Sequence, residues 1–401
     1  MMERNNSFRS DWGPMALADV RPFTIDIPQA DLDDLRTRLE RTRWAAGQPH
    51  NAAASPGVPA GEEYGFPTSR LRTLVEYWLD EYDWREQEAT LNAYPQFVTE
   101  IDGQQIHFVH VRSAERGAMP LVLTHGWPGS VVEYLDLIGP LTDPRAHGAG
   151  PAPAFDVVIP SLPGFGFSGP ARDAGWGTQR TARAWAELMA RLGYQRYGAV
   201  GNDAGSMISP EIGRLDPEHA AGVHVTQLYS FPSGAPGEMD ELTADEQAAL
   251  GVLSWFWERK GAFNTLHSQQ PQTLAHAITD SPAGLLAWNG QLFDDSLDHD
   301  FVLTNVALYW LTGTCGSSIR LYYEDAHTRR PAGPTTLPTA LAAAADGDFR
   351  SIRRFAERDH ANIASWHVLP DVTGHYAAHT NPAALAADIR TFFSGLPERT
   401  R

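Results

Sequence analysis

The segment that most narrows what this chain can become is Gly201-Asn202-Asp203-Ala204-Gly205. It follows Tyr197-Gly-Ala-Val-Gly201, a short apolar run suited to a buried strand. It precedes Ser206-Met-Ile-Ser-Pro-Glu-Ile-Gly-Arg214, whose apolar spacing suits a helix. A strand that enters a helix through a small-x-acid-x-small turn must bend sharply. The small flanking residues let the bend pack against its neighbours while the central side chain projects into a cleft. A serine at that apex would direct acyl transfer. An aspartate directs attack on a saturated carbon, leaving an ester between protein and substrate.

The surroundings fit such a turn. Phe97–Ile101 and Ile106–Val111 read as an antiparallel pair joined at Asp102-Gly103. Leu121–Thr124, Val157–Ile159 and Val223–Val225 read as central strands, Thr178–Leu192 as a helix, and Gly193 as its stop. Strand and helix alternate to about residue 228, which predicts an α/β architecture, a mostly parallel sheet with helices on both faces. From there to about residue 330 the pattern is helical and rich in aromatics, including Trp255, Phe256, Trp257, Trp288, Tyr309, Trp310, Tyr322 and Tyr323, as expected of a lid. Alternation resumes at Thr336–Ala340, Ile352–Glu357, Ser365–Leu369 and Pro382–Phe393. The predicted organisation is an arm over 1–95, a core over 96–227, a helical lid over 228–330 and the rest of the core over 331–401. Within the arm, 1–20 reads as a loose extension, Arg21–Ile27 as extended chain and 46–68 as a long loop. Leu32, Leu35 and Leu39 mark a helix running to about Trp44, and a second runs from Thr68 to about Tyr82.

A formal charge of −18 over 401 residues argues against affinity for nucleic acid or anionic lipid. The lone Cys315 excludes an internal disulfide and a cysteine-based metal site. No apolar run is long enough to cross a membrane, and the polar N-terminus lacks a signal-like core. A soluble cytoplasmic protein is the expectation, with a homo-oligomer left open.

Two further segments carry chemistry. His125-Gly-Trp-Pro-Gly-Ser130 follows the Leu121 strand, and a turn of that kind aims backbone N–H groups at a cleft. The N–H groups of Trp127 and Ala204 are the candidate oxyanion hole. Gly374-His375-Tyr376 lies between the last strand and the last helix, so His375 is placed to activate water against the Asp203 ester. One histidine among fifteen is usually structural or exposed; position singles out His375 over His360, His367 and His379. Asp346-Gly-Asp348 follows the penultimate strand and offers an acid to orient it, with Asp348 preferred and Asp346 the alternative. Either could instead cap the next helix. Ser161-Leu-Pro-Gly-Phe-Gly-Phe-Ser168, containing Phe165, reads as a cleft wall or an ordinary turn.

These residues resemble the epoxide hydrolases of the microsomal and juvenile-hormone type, over nearly the whole chain. The resemblance rests on Arg21-Pro-Phe-Thr-Ile, Thr42-Arg-Trp44, Tyr77-Trp-Leu-Asp-Glu-Tyr-Asp-Trp-Arg85, Leu91-Asn-Ala-Tyr-Pro-Gln-Phe97 and Ile106-His-Phe108. It continues through His125–Ser130, Leu162–Ser168, Leu303-Thr-Asn-Val306 and Gly374-His-Tyr-Ala-Ala378. It implies an α/β-hydrolase fold with an N-terminal arm, Asp203 as nucleophile, His375 as base, and Asp348 or Asp346 as orienting acid. It also implies a lid tyrosine that supports the leaving oxygen. Arg320-Leu-Tyr-Tyr-Glu324 points to Tyr322 for that part, although an aromatic core residue is the commoner fate of such a tyrosine. No cofactor is implied, and the partner is a small-molecule epoxide or related apolar compound.

The chain departs from that pattern in places. A second lid tyrosine normally lies in a Gly-Tyr segment ahead of Pro-x-Thr; here Gly261-Ala-Phe263 precedes Gln270-Pro-Gln-Thr273, so Phe263 replaces it without a hydroxyl. Ala204 stands where the family has tryptophan, which enlarges the pocket for a bulky substrate. Thr373-Gly-His375 and Ala344-Ala345 also differ from the family's forms. Phe263, His267, Phe165 and Trp288 are the candidate substrate-binding residues, and an imidazole such as His267 is a candidate substitute donor. The expected activity is opening of a bulky apolar epoxide to a vicinal diol. The alternatives are a member diverted to cyclisation or other bond formation in natural-product biosynthesis, or a non-catalytic ligand-binding scaffold. A haloalkane dehalogenase, which also uses an elbow aspartate, is disfavoured by the arm and by Arg320-Leu-Tyr322.

Overall fold

A computed structural model describes residues 20–47, 63–329, 331–347, 349–370 and 372–397. The expected N-terminal extension, most of the 46–68 loop and Asp348 lie outside the described residues. A nine-stranded sheet organises the chain, in the order β1-β2-β3-β5-β4-β6-β7-β8-β9. These are β1 (Arg21–Phe23), β2 (Gln96–Ile101), β3 (Gln104–Val111), β4 (Met119–Thr124), β5 (Phe155–Pro160), β6 (Tyr197–Gly201), β7 (Ala220–Val225), β8 (Thr339–Ala344) and β9 (Ile363–Leu369). The strands from β1 to β5 in that order pair antiparallel, and β5, β4, β6, β7, β8 and β9 run parallel. The β2–β3 turn falls at Asp102-Gly103, as the alternation on either side requires.

The arm contributes β1 and three helices, α1 (Gln29–Glu40), α2 (Thr68–Asp80) and α3 (Trp84–Asn92). Helix α1 buries Leu35 and Leu39 but stops short of Trp44. The Thr42 hydroxyl donates back to the Leu39 carbonyl at 2.7 Å, and Trp44 instead lies beneath the Arg72 guanidinium, 4.0 Å from its ring centroid. Helix α3 was not anticipated; Asp83 caps it by accepting from the Arg85 N–H. Its Asn92 and Glu88 side chains hold the backbone of Ile25 and Ile27, tying the segment after β1 to α3.

Helices α4 (Leu135–Thr142), α5 (Thr178–Arg191) and α6 (Ala204–Leu215) connect the central strands. Between β7 and β8 comes an insert of seven helices: α7 (Ala244–Arg259), α8 (Ala262–Gln269), α9 (Pro271–Asp280), α10 (Pro282–Gly290), α11 (His299–Leu311), α12 (Cys315–Ser318) and α13 (Arg320–His327). The chain then closes with α14 (Arg353–Asp359), α15 (Ala377–Thr380) and α16 (Pro382–Ser394). Helices α5 and α6 pack together, while α4 packs with α16, giving the sheet helical cover. The arm braces the insert: the Tyr77 hydroxyl donates to Asp300 at 3.0 Å, and Tyr82 shares a hydrogen bond with Thr304, both at α11. Among the described residues, no helix is long and apolar enough to cross a membrane.

Candidate active site

The register of β4 against β6 builds the centre of the site. It pairs Thr124 with Gly201, so the residues that leave both strands at their carboxyl ends emerge side by side. Asp203 sits at φ 53° and ψ −120°, a conformation that costs a non-glycine residue about 1–3 kcal/mol. The surroundings enforce it. A Cβ on Gly205 would overlap the Thr124 carbonyl oxygen, so only glycine lets α6 start this close to β4. The Asp203 N–H donates to Gln227 Oε1 at 3.0 Å, and the Asn202 N–H donates to the Thr124 carbonyl at 3.2 Å.

The Trp127 N–H donates to Asp203 Oδ1 at 3.0 Å. A Cβ on Gly126 would fall on the same carboxylate, so the loop approaches this closely because residue 126 lacks a side chain. Beside it, the Ala204 N–H opens α6 without a protein acceptor among the described residues. His125, buried at the root of the loop, fixes its course. Its Nδ1 faces the Gly126 carbonyl at 2.9 Å, and its Nε2 accepts from the Leu162 N–H at 3.3 Å. Burial holds this imidazole down to about 4, partly countered by the Gly126 carbonyl, so it stays neutral and the hydrogen-bond pattern stays fixed.

His375 Nε2 lies 3.7 Å from Asp203 Oδ2, the oxygen not held by Trp127. The histidine loop is tied down by its backbone: the Gly374 N–H donates to Asp346 Oδ1 at 2.9 Å, and the His375 carbonyl accepts from Asn202 Nδ2 at 3.1 Å. Asp346 therefore touches the loop beside His375. Helix α14 starts only at Arg353, with Ile352 ahead of it, so Asp346 does not cap it.

Above Asp203 the insert supplies a cluster of rings. Phe263 stacks on Trp127, with centroids 5.6 Å apart and planes at 22°. The Tyr322 ring stands edge-on to both, 6.1 Å from Trp127 and 5.8 Å from Phe263. Burial, reinforced by the charge of Asp203, keeps the Tyr322 phenol well above its ordinary range, so it holds its proton at any physiological pH. His267 completes the cluster and accepts a hydrogen bond from Trp288 Nε1 at 2.9 Å. Phe165 sits elsewhere, packed between His125 and Tyr309 at 5.8 and 5.9 Å. Tyr309 is buried and donates to the Gly129 carbonyl at 2.6 Å, anchoring the 125–130 loop to α11.

The chain as a whole is similar to known proteins. The model described as "Epoxide hydrolase N terminus" matches residues 20–134, and the one described as "alpha/beta hydrolase fold" matches 119–273. A Stigmatella aurantiaca relative is 40% identical over 389 residues, which cover 94% of this chain and 85% of the relative. Epoxide hydrolase 1 of Sus scrofa is 31% identical, with 97% of this chain and 93% of that protein covered. The chain belongs to the epoxide hydrolase family. Among solved structures, Aspergillus niger epoxide hydrolase aligns with a TM-score of 0.81 at 30% identity, covering 94% of this chain and 96% of that one. Juvenile hormone epoxide hydrolase from the silkworm Bombyx mori gives a TM-score of 0.80 at 26% identity, covering 96% and 97%. The α/β-hydrolase fold expected from the sequence is thus the fold of the family.

Reasoning from the sequence missed a buried polar layer beneath Asp203. Asn202 Nδ2 donates to Glu133 Oε1 at 2.7 Å, and Asn202 Oδ1 accepts from Thr226 and Gln227 at 2.5 and 2.9 Å. Thr226 and Gln227 directly follow the last residue of β7, where an α/β sheet presents functional side chains, and that position was the available signal. Tyr229, two residues on, packs against Phe349 at 4.7 Å and also feels the charge of Asp203.

Proposed function

We propose that this chain hydrolyses a bulky apolar epoxide to a vicinal diol through a covalent aspartyl ester. The observation that carries the reading is the division of the Asp203 carboxylate: Oδ1 rests on the Trp127 N–H while Oδ2 lies 3.7 Å from His375 Nε2. Oδ2 attacks a ring carbon, the carbon–oxygen bond opens, and its electron pair stays on the oxygen, which takes the Tyr322 proton. Oδ1 becomes the ester carbonyl oxygen, already seated at the Trp127 N–H and next to the Ala204 N–H. His375 then takes a proton from water, hydroxide adds to the ester carbon, and those two N–H groups hold the oxyanion. The bond from that carbon to the substrate oxygen then breaks, the departing oxygen takes the added hydroxyl's proton, and the diol leaves with the Asp203 carboxylate restored. The proton on His375 returns to the tyrosinate, which closes the cycle. Helices over 228–330 act as the lid, and the rings of Trp127, Phe263, Trp288 and Tyr322 form an apolar wall that suits a bulky hydrocarbon substrate. The reduction of residue 204 to alanine adds room next to the nucleophile.

Asp348, which follows β8 in sequence, is proposed to orient His375, with Asp346 positioning the loop through Gly374. The test is intact-protein mass spectrometry of His375→Gln with a panel of apolar epoxides. An adduct of substrate mass should accumulate on the peptide carrying Asp203 and be absent from Asp203→Asn. Wild-type turnover in H₂¹⁸O should place label in the diol after repeated cycles. A product isomeric with the substrate and free of label would instead assign the chain to bond-forming chemistry. No adduct and no turnover with any epoxide would sink the reading.

A further inference from the structure

The opening of an epoxide leaves charge on one oxygen, and two donors hold it better than one. Phe263 packs against the Trp127 and Tyr322 rings and carries no hydroxyl. His267 lies four residues further along α8, so it shares a face with Phe263 one turn on. Its ring centroid is 5.8 Å from Phe263, 4.7 Å from Trp127 and 5.0 Å from Tyr322.

The tautomer of His267 is set by its neighbour. An indole N–H can only donate, so the 2.9 Å contact from Trp288 Nε1 makes His267 Nε2 an acceptor. In the neutral ring the hydrogen then sits on Nδ1. Nδ1 is fully buried and has no hydrogen-bond partner among the described residues. An unpaired buried donor costs about 1–3 kcal/mol, and the neighbouring Trp127 and Phe263 rings offer no lone pair to offset it. An oxygen acceptor brought by a ligand to the edges of the His267 and Tyr322 rings would satisfy it.

We propose that His267 Nδ1–H is the second hydrogen-bond donor to the epoxide oxygen, replacing the hydroxyl missing at Phe263. This rests on the epoxide hydrolase reading above. As the Asp203–carbon bond forms and the ring carbon–oxygen bond breaks, the oxygen takes its proton from Tyr322. His267 keeps its own proton and contributes only the hydrogen bond. Trp288 is a positioning residue, acting through the tautomer it fixes.

The test uses the full-length protein and styrene oxide, with the single-turnover rates of ester formation and ester hydrolysis measured separately. His267→Leu should slow ester formation about 10²-fold, the effect of deleting one oxyanion donor, and leave hydrolysis unchanged. Phe263→Tyr added to His267→Leu should recover at least about tenfold of that loss, because it restores a donor to the same cluster. Should His267→Leu fail to fold, Trp288→Phe decides, since it keeps the imidazole and frees its tautomer. It should slow ester formation several-fold with hydrolysis intact. The proposal is overturned if these variants form ester within about twofold of wild type, or if both steps slow together. It is also overturned if Tyr229→Phe, and not the His267 variant, causes the selective loss. Absence of any ester in the wild type with styrene oxide or other apolar epoxides would count against the parent reading instead.

Discussion

Glu133 should make this protein lose stability as the solution becomes alkaline. The side chain is buried, one oxygen accepts from Asn202 at 2.7 Å, and the other has no partner among the described residues. Burial pushes its carboxyl up from 4.5 to about 8, with the Asn202 hydrogen bond opposing and the charge of Asp203 assisting. The folded state thus keeps a proton that the unfolded chain releases above about 4.5. Stability falls with pH wherever the folded state binds more protons, here by about 1.4 kcal/mol per unit between the two values, and levels off above about 8. Glu133→Gln keeps the acceptor for Asn202 and cannot ionise. Its stability relative to wild type should therefore grow by about 3–4 kcal/mol between pH 5 and pH 8. Urea unfolding of both proteins at half-unit pH intervals measures this directly. Above about 8 the ionised Glu133 also opposes the oxyanion that forms on the neighbouring ester, so wild-type hydrolysis should decline there and the variant's should not. Parallel stability curves for the two proteins across pH 5–8 would refute the reasoning.

His379 should titrate in a different window. It is stacked on Phe301 at 4.1 Å and bonded to Asp136 and Asp298 at 2.7 and 3.0 Å, which links α15 to α4 and α11. Burial opposes its charge, but the two carboxylates outweigh burial and raise it from 6.5 to about 9. Its contribution is complete below about 6.5 and lost as pH rises through about 9. Both carboxylates are more than half exposed, so His379→Gln should cost about 1–2 kcal/mol at pH 6 and close to nothing at pH 10, read from urea midpoints. Gly126→Ala should leave the far-ultraviolet circular dichroism spectrum intact while slowing ester formation more than about 10²-fold, because the new methyl group displaces Asp203 Oδ1 from the Trp127 N–H. Ester formation near the wild-type rate in that variant would show that the Trp127 contact does not set the nucleophile.

The parts of the site that sequence made legible are those written in consecutive residues. The elbow around Asp203 could be read because a strand, two glycines and a helix within about fifteen residues admit few backbones. The His125–Ser130 turn could be read because its glycines and proline constrain the backbone locally. Trp127 could be assigned beside the elbow from those two motifs, but the seating of Asp203 Oδ1 on its N–H depends on β4 and β6 being neighbours, and their register, Thr124 on Gly201, is a long-range property. Glu133, Thr226 and Gln227 were silent for that reason: each is an ordinary polar residue until the sheet places it under Asn202. Helix α3 was missed because its apolar residues lack a clear helical period. Its value lies in Asn92 and Glu88, polar groups spent on the backbone of the distant segment between β1 and α1. Phe165, in a segment that reads as a cleft wall or an ordinary turn, packs between His125 and Tyr309, a distinction that aromatic composition cannot make.

The two halves of the proposed chemistry rest on different supports, and this bears on which half evolution can alter. Asp203, Trp127 and His375 lie on loops that follow strands: Gln227 and Asn202 hold the backbone of Asp203 and His375, Glu133 holds Asn202, and the Trp127 N–H holds Asp203 itself, so a shift of one loop disturbs its neighbours. Tyr322, Phe263 and His267 lie on two helices of the insert and meet mainly through ring contacts, whose individual worth is about 0.5–1.5 kcal/mol. Exchange of one ring for another there changes shape and donor pattern at small cost to the fold. Phe263, which carries no hydroxyl, and the unpaired His267 Nδ1–H both lie within that cluster. Variation in substrate should therefore concentrate on the faces of α8 and α13, while ester formation and hydrolysis keep the same attacking carboxylate and the same histidine.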